Sequence, residues 1–108
     1  MKTTERLPEA FLAQVAETVK IIGHPLRLAI LDFLDVHGES AVGAIAEGVG
    51  GAQAAVSQHL NTMRRAGIVG ARRKGRQVYY GRLAESARTL LSCMRRTYAA
   101  GTQMERVK

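Results

Sequence analysis

Apolar residues recur along the chain first at helical spacing, then briefly in the alternation of strands, then at helical spacing again. From Leu7 to Gly23, the residues Leu7, Phe11, Val15 and Ile22 fall on one side of a helix, and Leu12 and Val19 widen the stripe. Pro25 suits the first turn of a second helix, where its missing N–H costs nothing. Leu26, Ile30, Phe33 and Leu34 give that helix a core face, and Gly38 ends it. Ser40 is the expected N-cap of a short third helix carrying Val42, Ile45 and Val49, which Gly50-Gly51 terminates. A fourth helix is expected from about Ala52 to Ala66, with Ala52, Val56, Leu60 and Met63 inward and Gly67 in the terminating position.

Beyond Gly67 the period shortens. Ile68-Val69 and Gln77-Val78-Tyr79-Tyr80 read as two short strands, and the turn between them, Arg72-Arg73-Lys74-Gly75-Arg76, is almost entirely cationic. Helical spacing returns from Leu83 to Tyr98 through Leu83, Ala87, Leu90, Leu91, Met94 and Tyr98, and the polar tail from Gly101 to Lys108 is expected to fray. The order helix, helix, helix, helix, strand, strand, helix is mainly α with a β-hairpin wing, a winged helix-turn-helix. No repeat, low-complexity tract or linker divides the chain, and its 108 residues suit one such domain, spanning 1–108 with flexible termini.

Charge sharpens this picture. Sixteen Lys and Arg against nine Asp and Glu give a formal net charge of +7, which favours a polyanionic partner. On a helical wheel the fourth helix turns Gln53, Ala54, Ser57, Gln58, Asn61, Arg64 and Arg65 away from its apolar side. Gln and Asn pair with adenine edges, Ser bonds to bases or phosphates, and Ala touches a thymine methyl, so this face suits base readout in double-stranded DNA. Any solvent-facing helix side would also be polar; the cationic cluster Arg72, Arg73, Lys74 and Arg76 next to it tips the reading toward DNA. A sequence-indifferent architectural or RNA-binding protein is the rival class, for which charge alone would serve. No nucleophile–base–orienter order, paired carboxylates, Walker pattern or dinucleotide glycine pattern points to an enzyme. No stretch approaches the roughly 20 apolar residues that span a bilayer, and the N-terminus lacks an apolar signal core, so a cytoplasmic protein without membrane contact is expected.

Four segments in order, Gly23-His24-Pro25-Leu26-Arg27-Leu28, Val56-Ser57-Gln58-His59-Leu60, Gly67-Ile68-Val69 and Gly75-Arg76-Gln77-Val78-Tyr79-Tyr80, resemble the ArsR/SmtB family of bacterial winged-helix repressors, from about Val15 to Tyr98. The resemblance implies a repressor that binds an inverted-repeat operator as a homodimer joined through its first and last helices. The implied interface takes in Phe11, Val15, Leu83, Ala87, Leu90, Leu91, Met94 and Tyr98, whose apolar stripes exceed what so small a core needs.

Many members of that family release DNA on binding metal, and here the chain departs from the pattern. Glu39-Ser40-Ala41-Val42-Gly43 stands where the thiolate motif would fall, and Ala84, Ser86, Thr97 and Ala100 stand where ligands in the last helix would fall. No metal and no cofactor is expected, and His24, His37 and His59 are dispersed in the manner of structural histidines. Cys93, the single cysteine, lies at the edge of the last apolar stripe. It reads as an inert thiol or, alternatively, as a redox-responsive group acting between subunits, since relatives that sense thiol chemistry pair a cysteine in this helix with a second one absent here. The effector is left open.

Overall fold

A computed structural model describes residues 5–101, and the polar tail expected to fray lies, after Gly101, outside them. Four helices come first, α1 (Glu9–Ile22), α2 (Pro25–His37), α3 (Val42–Val49) and α4 (Gln53–Arg65), with a short strand β1 (Ser40–Ala41) between α2 and α3. A hairpin of β2 (Val69–Lys74) and β3 (Gln77–Leu83) follows, and α5 (Glu85–Gly101) closes the order. The sheet runs β1-β3-β2 and is antiparallel throughout.

Local chemistry sets most of these boundaries. Pro25 opens α2, and the ring of His24 caps it by accepting the Leu26 N–H at 3.1 Å on Nδ1. Gly50 ends α3 in the left-handed region at φ 70°, and its N–H reaches the carbonyls of Ala46 and Glu47. At Gly51 a Cβ would stand 3.1 Å from the Val56 side chain, so the bare backbone lets the turn sit directly on the first turn of α4.

Ile30, Leu31 and Leu34 of α2, Ile45 and Ala46 of α3, and Val56, Leu60 and Met63 of α4 form one core with Ile68, Val69, Tyr80, Leu83, Ala87 and Leu91. Several expectations change. Ser40 does not cap α3: it pairs with Tyr80 in β1, its hydroxyl donates to the Gly38 carbonyl at 3.0 Å, and Ala41 takes the cap position without a side-chain bond. Ala52 is exposed because it precedes α4 as its N-cap and so does not extend the inward stripe. Arg72, Arg73 and Lys74 lie on β2, leaving Gly75 and Arg76 alone as the turn, with Gly75 at φ 64°.

The expected dimer residues divide in two. Leu83, Ala87 and Leu91 are buried in the chain's own core: Leu83 ends β3 instead of opening the last helix, and Ala87 and Leu91 lie on the buried side of α5, which packs on α2. Phe11, Val15, Met94 and Tyr98 stay exposed, Tyr98 at 70%, and Leu90 is half-buried. Helix α1 buries only Ile22, and Phe11, Leu12, Val15 and Val19 on it, with Leu7 just before it, are between 40% and 57% exposed. Between α1 and α5 runs an apolar cleft of about 300 Å³, lined by Phe11, Val15, Val19, Ile22 and Leu90 among others.

Candidate nucleic-acid interface

Helix α4 is seated by Val56, Leu60 and Met63, each with no exposed surface, and this fixes which side faces outward. Gln53, Ala54, Gln58, Arg64 and Arg65 are exposed, while Ser57, Asn61 and Thr62 are half-buried along the margins. At 100° per residue Ala54, Gln58, Asn61 and Arg65 lie nearest the centre of that face, with Arg64 turned toward the hairpin. The face therefore holds the residues expected of it, with Arg65 more central than Arg64.

The hairpin stands beside this face. A cleft of about 320 Å³ separates the two, with Asn61 and Arg64 on the helix side and Ala71, Arg73 and Val78 on the wing side. Arg73 and Arg76 are exposed and form no ion pair among the described residues. Arg72 is differently placed: its Nε donates to Glu39 Oε2 at 2.7 Å and its Nη2 to Glu39 Oε1 at 2.8 Å, a two-bond fork. The Arg72 bond holds the Glu39 carboxyl below the usual carboxylate range against the opposing effect of burial, with the charges of Arg72 and Lys74 adding to it. One of the four wing cations is thus already matched by an acid within the chain.

Helix-turn-helix domains as a family match residues 22–69, which run from the end of α1 to the start of the wing. The chain is 40% identical over 73 residues to the biofilm growth-associated repressor of Xylella fastidiosa, covering 68% of this chain and 62% of that protein. Among solved structures it is similar to NolR from Sinorhizobium fredii, with 35% identity, a TM-score of 0.74, and coverage of 89% of this chain and 97% of that one. It is also similar to the homodimeric winged helix-turn-helix DNA-binding domain of a possible ArsR-family regulator from Mycobacterium bovis, with 30% identity, a TM-score of 0.74, and coverage of 100% and 99%. The chain belongs to the ArsR/SmtB family. That family consists of winged-helix DNA-binding transcriptional regulators and not of enzymes. The chain spans less than two thirds of the length of the Xylella repressor.

Against the ArsR pattern, the positions of the missing metal ligands are informative. Ala41 and Gly43, at the positions where the resemblance implies thiolates, lie in β1, where Ala41 pairs with Tyr79, and in α3, where Gly43 faces the Gln53 side chain. No group of three or more His, Cys, Asp or Glu stands together to hold a metal ion among the described residues. Cys93 is exposed on α5. No helix among the described residues is long and apolar enough to cross a membrane.

Two polar arrangements had no counterpart in the sequence pattern. Arg27 Nε donates to His59 Nδ1 at 3.0 Å and Arg27 Nη1 to the Ile21 carbonyl at 2.7 Å, tying the end of α1, the start of α2 and the middle of α4 together. The His24 ring lies 4.7 Å from that of His59. Burial, and then the charges of Arg27 and His24, push the His59 pKa below the ordinary histidine value. On α5, Arg95 reaches Asp32 and Asp35 of α2, both at 2.8 Å. Apart from Arg27 and Ile21, these partners lie 32 and more residues apart in sequence, where no periodicity connects them.

Proposed function

We propose that this protein is a homodimeric, sequence-specific transcriptional repressor that acts in the cytoplasm on an inverted-repeat operator. The observation that carries the reading is the side-by-side placement of an acid-free polar face on α4 and the exposed cations of the wing, separated by one cleft. Gln53, Ala54, Ser57, Gln58, Asn61 and Arg64 read base edges in the major groove, and Arg73, Lys74 and Arg76 meet the backbone. Dimerisation is supported by the unburied stripe of α1 and the outer end of α5, and by the Mycobacterium bovis relative being described as homodimeric. Two such faces related by a twofold axis meet successive major grooves about 34–36 Å apart.

The test is selection of binding sites from genomic fragments followed by footprinting. The expected result is protection of two half-sites about one helical turn apart; uniform protection of random DNA overturns the reading. Because Ala41, Gly43, Ala84, Ser86, Thr97 and Ala100 fill the family's ligand positions, operator affinity is expected to stay within about twofold when Zn(II) is added or chelated, as measured by fluorescence anisotropy.

A further inference from the structure

A helix lying in the major groove has a sugar-phosphate backbone on each side, because the groove is only about 12 Å wide. The wing accounts for one side of α4. On the other side is a second cleft, of about 410 Å³, lined by Arg27, Gln58, His59, Asn61, Thr62 and Arg65. Gln58 and Asn61 belong to the exposed face of α4, so this cleft opens directly from the surface assigned to base readout. It contains two guanidinium groups and no carboxylate.

The chain's arginines are held in chemically different ways, and the difference is informative. Arg72 is matched by Glu39, and Arg95 by Asp32 and Asp35, so each is neutralised where it stands. Arg27 is fixed instead by two uncharged acceptors, the His59 ring nitrogen and the Ile21 carbonyl. Those bonds set the plane of its guanidinium without offsetting its charge, and they use two of its five N–H donors. Arg27 is half-buried, which leaves little freedom to lose on meeting an anion, while the exposed Arg65 supplies a second cation and the Thr62 hydroxyl is turned back onto the Gln58 carbonyl at 3.1 Å.

From this arrangement we infer that the Arg27–Arg65 cleft is a phosphate-binding subsite, which clamps the DNA backbone on the side of α4 opposite the wing. Recognition helix, wing and clamp then bracket the groove, and the register of Gln58 and Asn61 over the bases is set from both edges. The inference rests on the DNA-binding reading of α4.

The experiment compares wild type, Arg65→Gln and Arg27→Lys on the selected operator and on random DNA, together with phosphate-ethylation interference. Arg65→Gln removes an exposed cation whose side chain forms no ion pair among the described residues, so the fold is expected to be unchanged by circular dichroism. The expected result for Arg65→Gln is a salt-dependence slope lower by about 0.9 on both DNAs, with the operator preference retained. Ethylation of phosphates on the strand away from the wing is expected to weaken wild-type binding, and this sensitivity is expected to fall in both variants. Unchanged slopes and an unchanged interference pattern overturn the clamp, even if wild type selects an operator. If wild type selects no operator, the sequence-specific reading fails, and the random-DNA slopes decide the clamp separately. An NMR titration of the DNA-free protein with inorganic phosphate separates the two sources of phosphate: shifts at the Arg27 and Arg65 side chains, with DNA binding of the variants unaltered, assign the cleft to a free anion and overturn the backbone clamp.

Discussion

One lone pair on His59 holds the middle of α4 to the start of α2. Protonating that nitrogen would remove the acceptor and place a cation beside Arg27, and burial already keeps the ring's folded pKa below its ordinary value. The unfolded chain takes up this proton near pH 6.5, whereas the folded chain resists it, so ν for the unfolded state exceeds ν for the folded state just below that pH. The contribution to stability is complete above about pH 6.5 and is lost as pH falls toward the lower folded value. Thermal midpoints measured between pH 7.5 and 5 are expected to decline, and His59→Gln, which keeps an acceptor without a titrating ring, is expected to flatten the decline; an equally steep profile in the variant would place the titration elsewhere. Glu39 is the second residue with a definite consequence. Its Glu39→Gln variant releases Arg72 and removes a negative charge at the root of the wing. Binding to random DNA is expected to tighten and its salt slope to steepen by about one, as read by anisotropy over a salt series. Neither contact was legible in the sequence, because both link residues more than thirty positions apart and neither pair carries a recurring spacing.

The helices were legible because each has an apolar stripe at helical spacing and a glycine or proline at an end: Pro25 opens α2, Gly38 closes it, and Gly50 closes α3. Strand β1 was not legible, since two residues cannot display an alternation and Ser40 carries the ordinary chemistry of a helix cap. The hairpin was recognised but drawn too short. Its register, Val69 opposite Leu83 through Lys74 opposite Gln77, takes three of the cations out of the turn and sets them along a strand, where successive side chains point to opposite faces. The division of labour between helix and wing gives contrasting expectations. Gln58→Ala alters the preferred operator bases, costing about 1–3 kcal/mol of discrimination at the position it reads, while Arg73→Ala or Arg76→Ala weakens binding to every sequence and lowers the salt slope. Competition binding against single-base operator variants distinguishes the two, and equal losses on all sequences from Gln58→Ala would remove it from readout.

Taken whole, the molecule is elongated: its radius of gyration is 15.5 Å and its principal extents are 49 × 33 × 24 Å. A compact domain of this length would have a radius of about 13 Å. The excess is understandable from α1, which buries only its last residue and carries five exposed large apolar side chains on or just before it. An isolated chain gains little from such a stripe, whereas two copies would cover it. Phe11→Glu places a charge on the stripe outside the chain's own core, so it is expected to yield a folded monomer by light scattering, with operator affinity reduced at least tenfold because half-sites are then bound singly. A dimer of unchanged mass would move the interface off α1. Sequence periodicity identified both terminal stripes but could not separate the residues facing inward from those left over: Ala87 and Leu91 complete the core, and Met94 and Tyr98, further along the same helix, do not.

The two-residue strand β1 has a consequence for what can be altered. By pairing Ser40 with Tyr80 and Ala41 with Tyr79, it stitches the middle of β3 to the connection between α2 and α3, so strand alignment has an anchor besides the turn. The tip at Gly75-Arg76 lies beyond that anchor, where the left-handed Gly75 at φ 64° turns the chain between Lys74 and Gln77. It is the natural place to graft a longer or differently charged loop, and a protein engineer seeking to retune backbone affinity while leaving the scaffold intact would begin there.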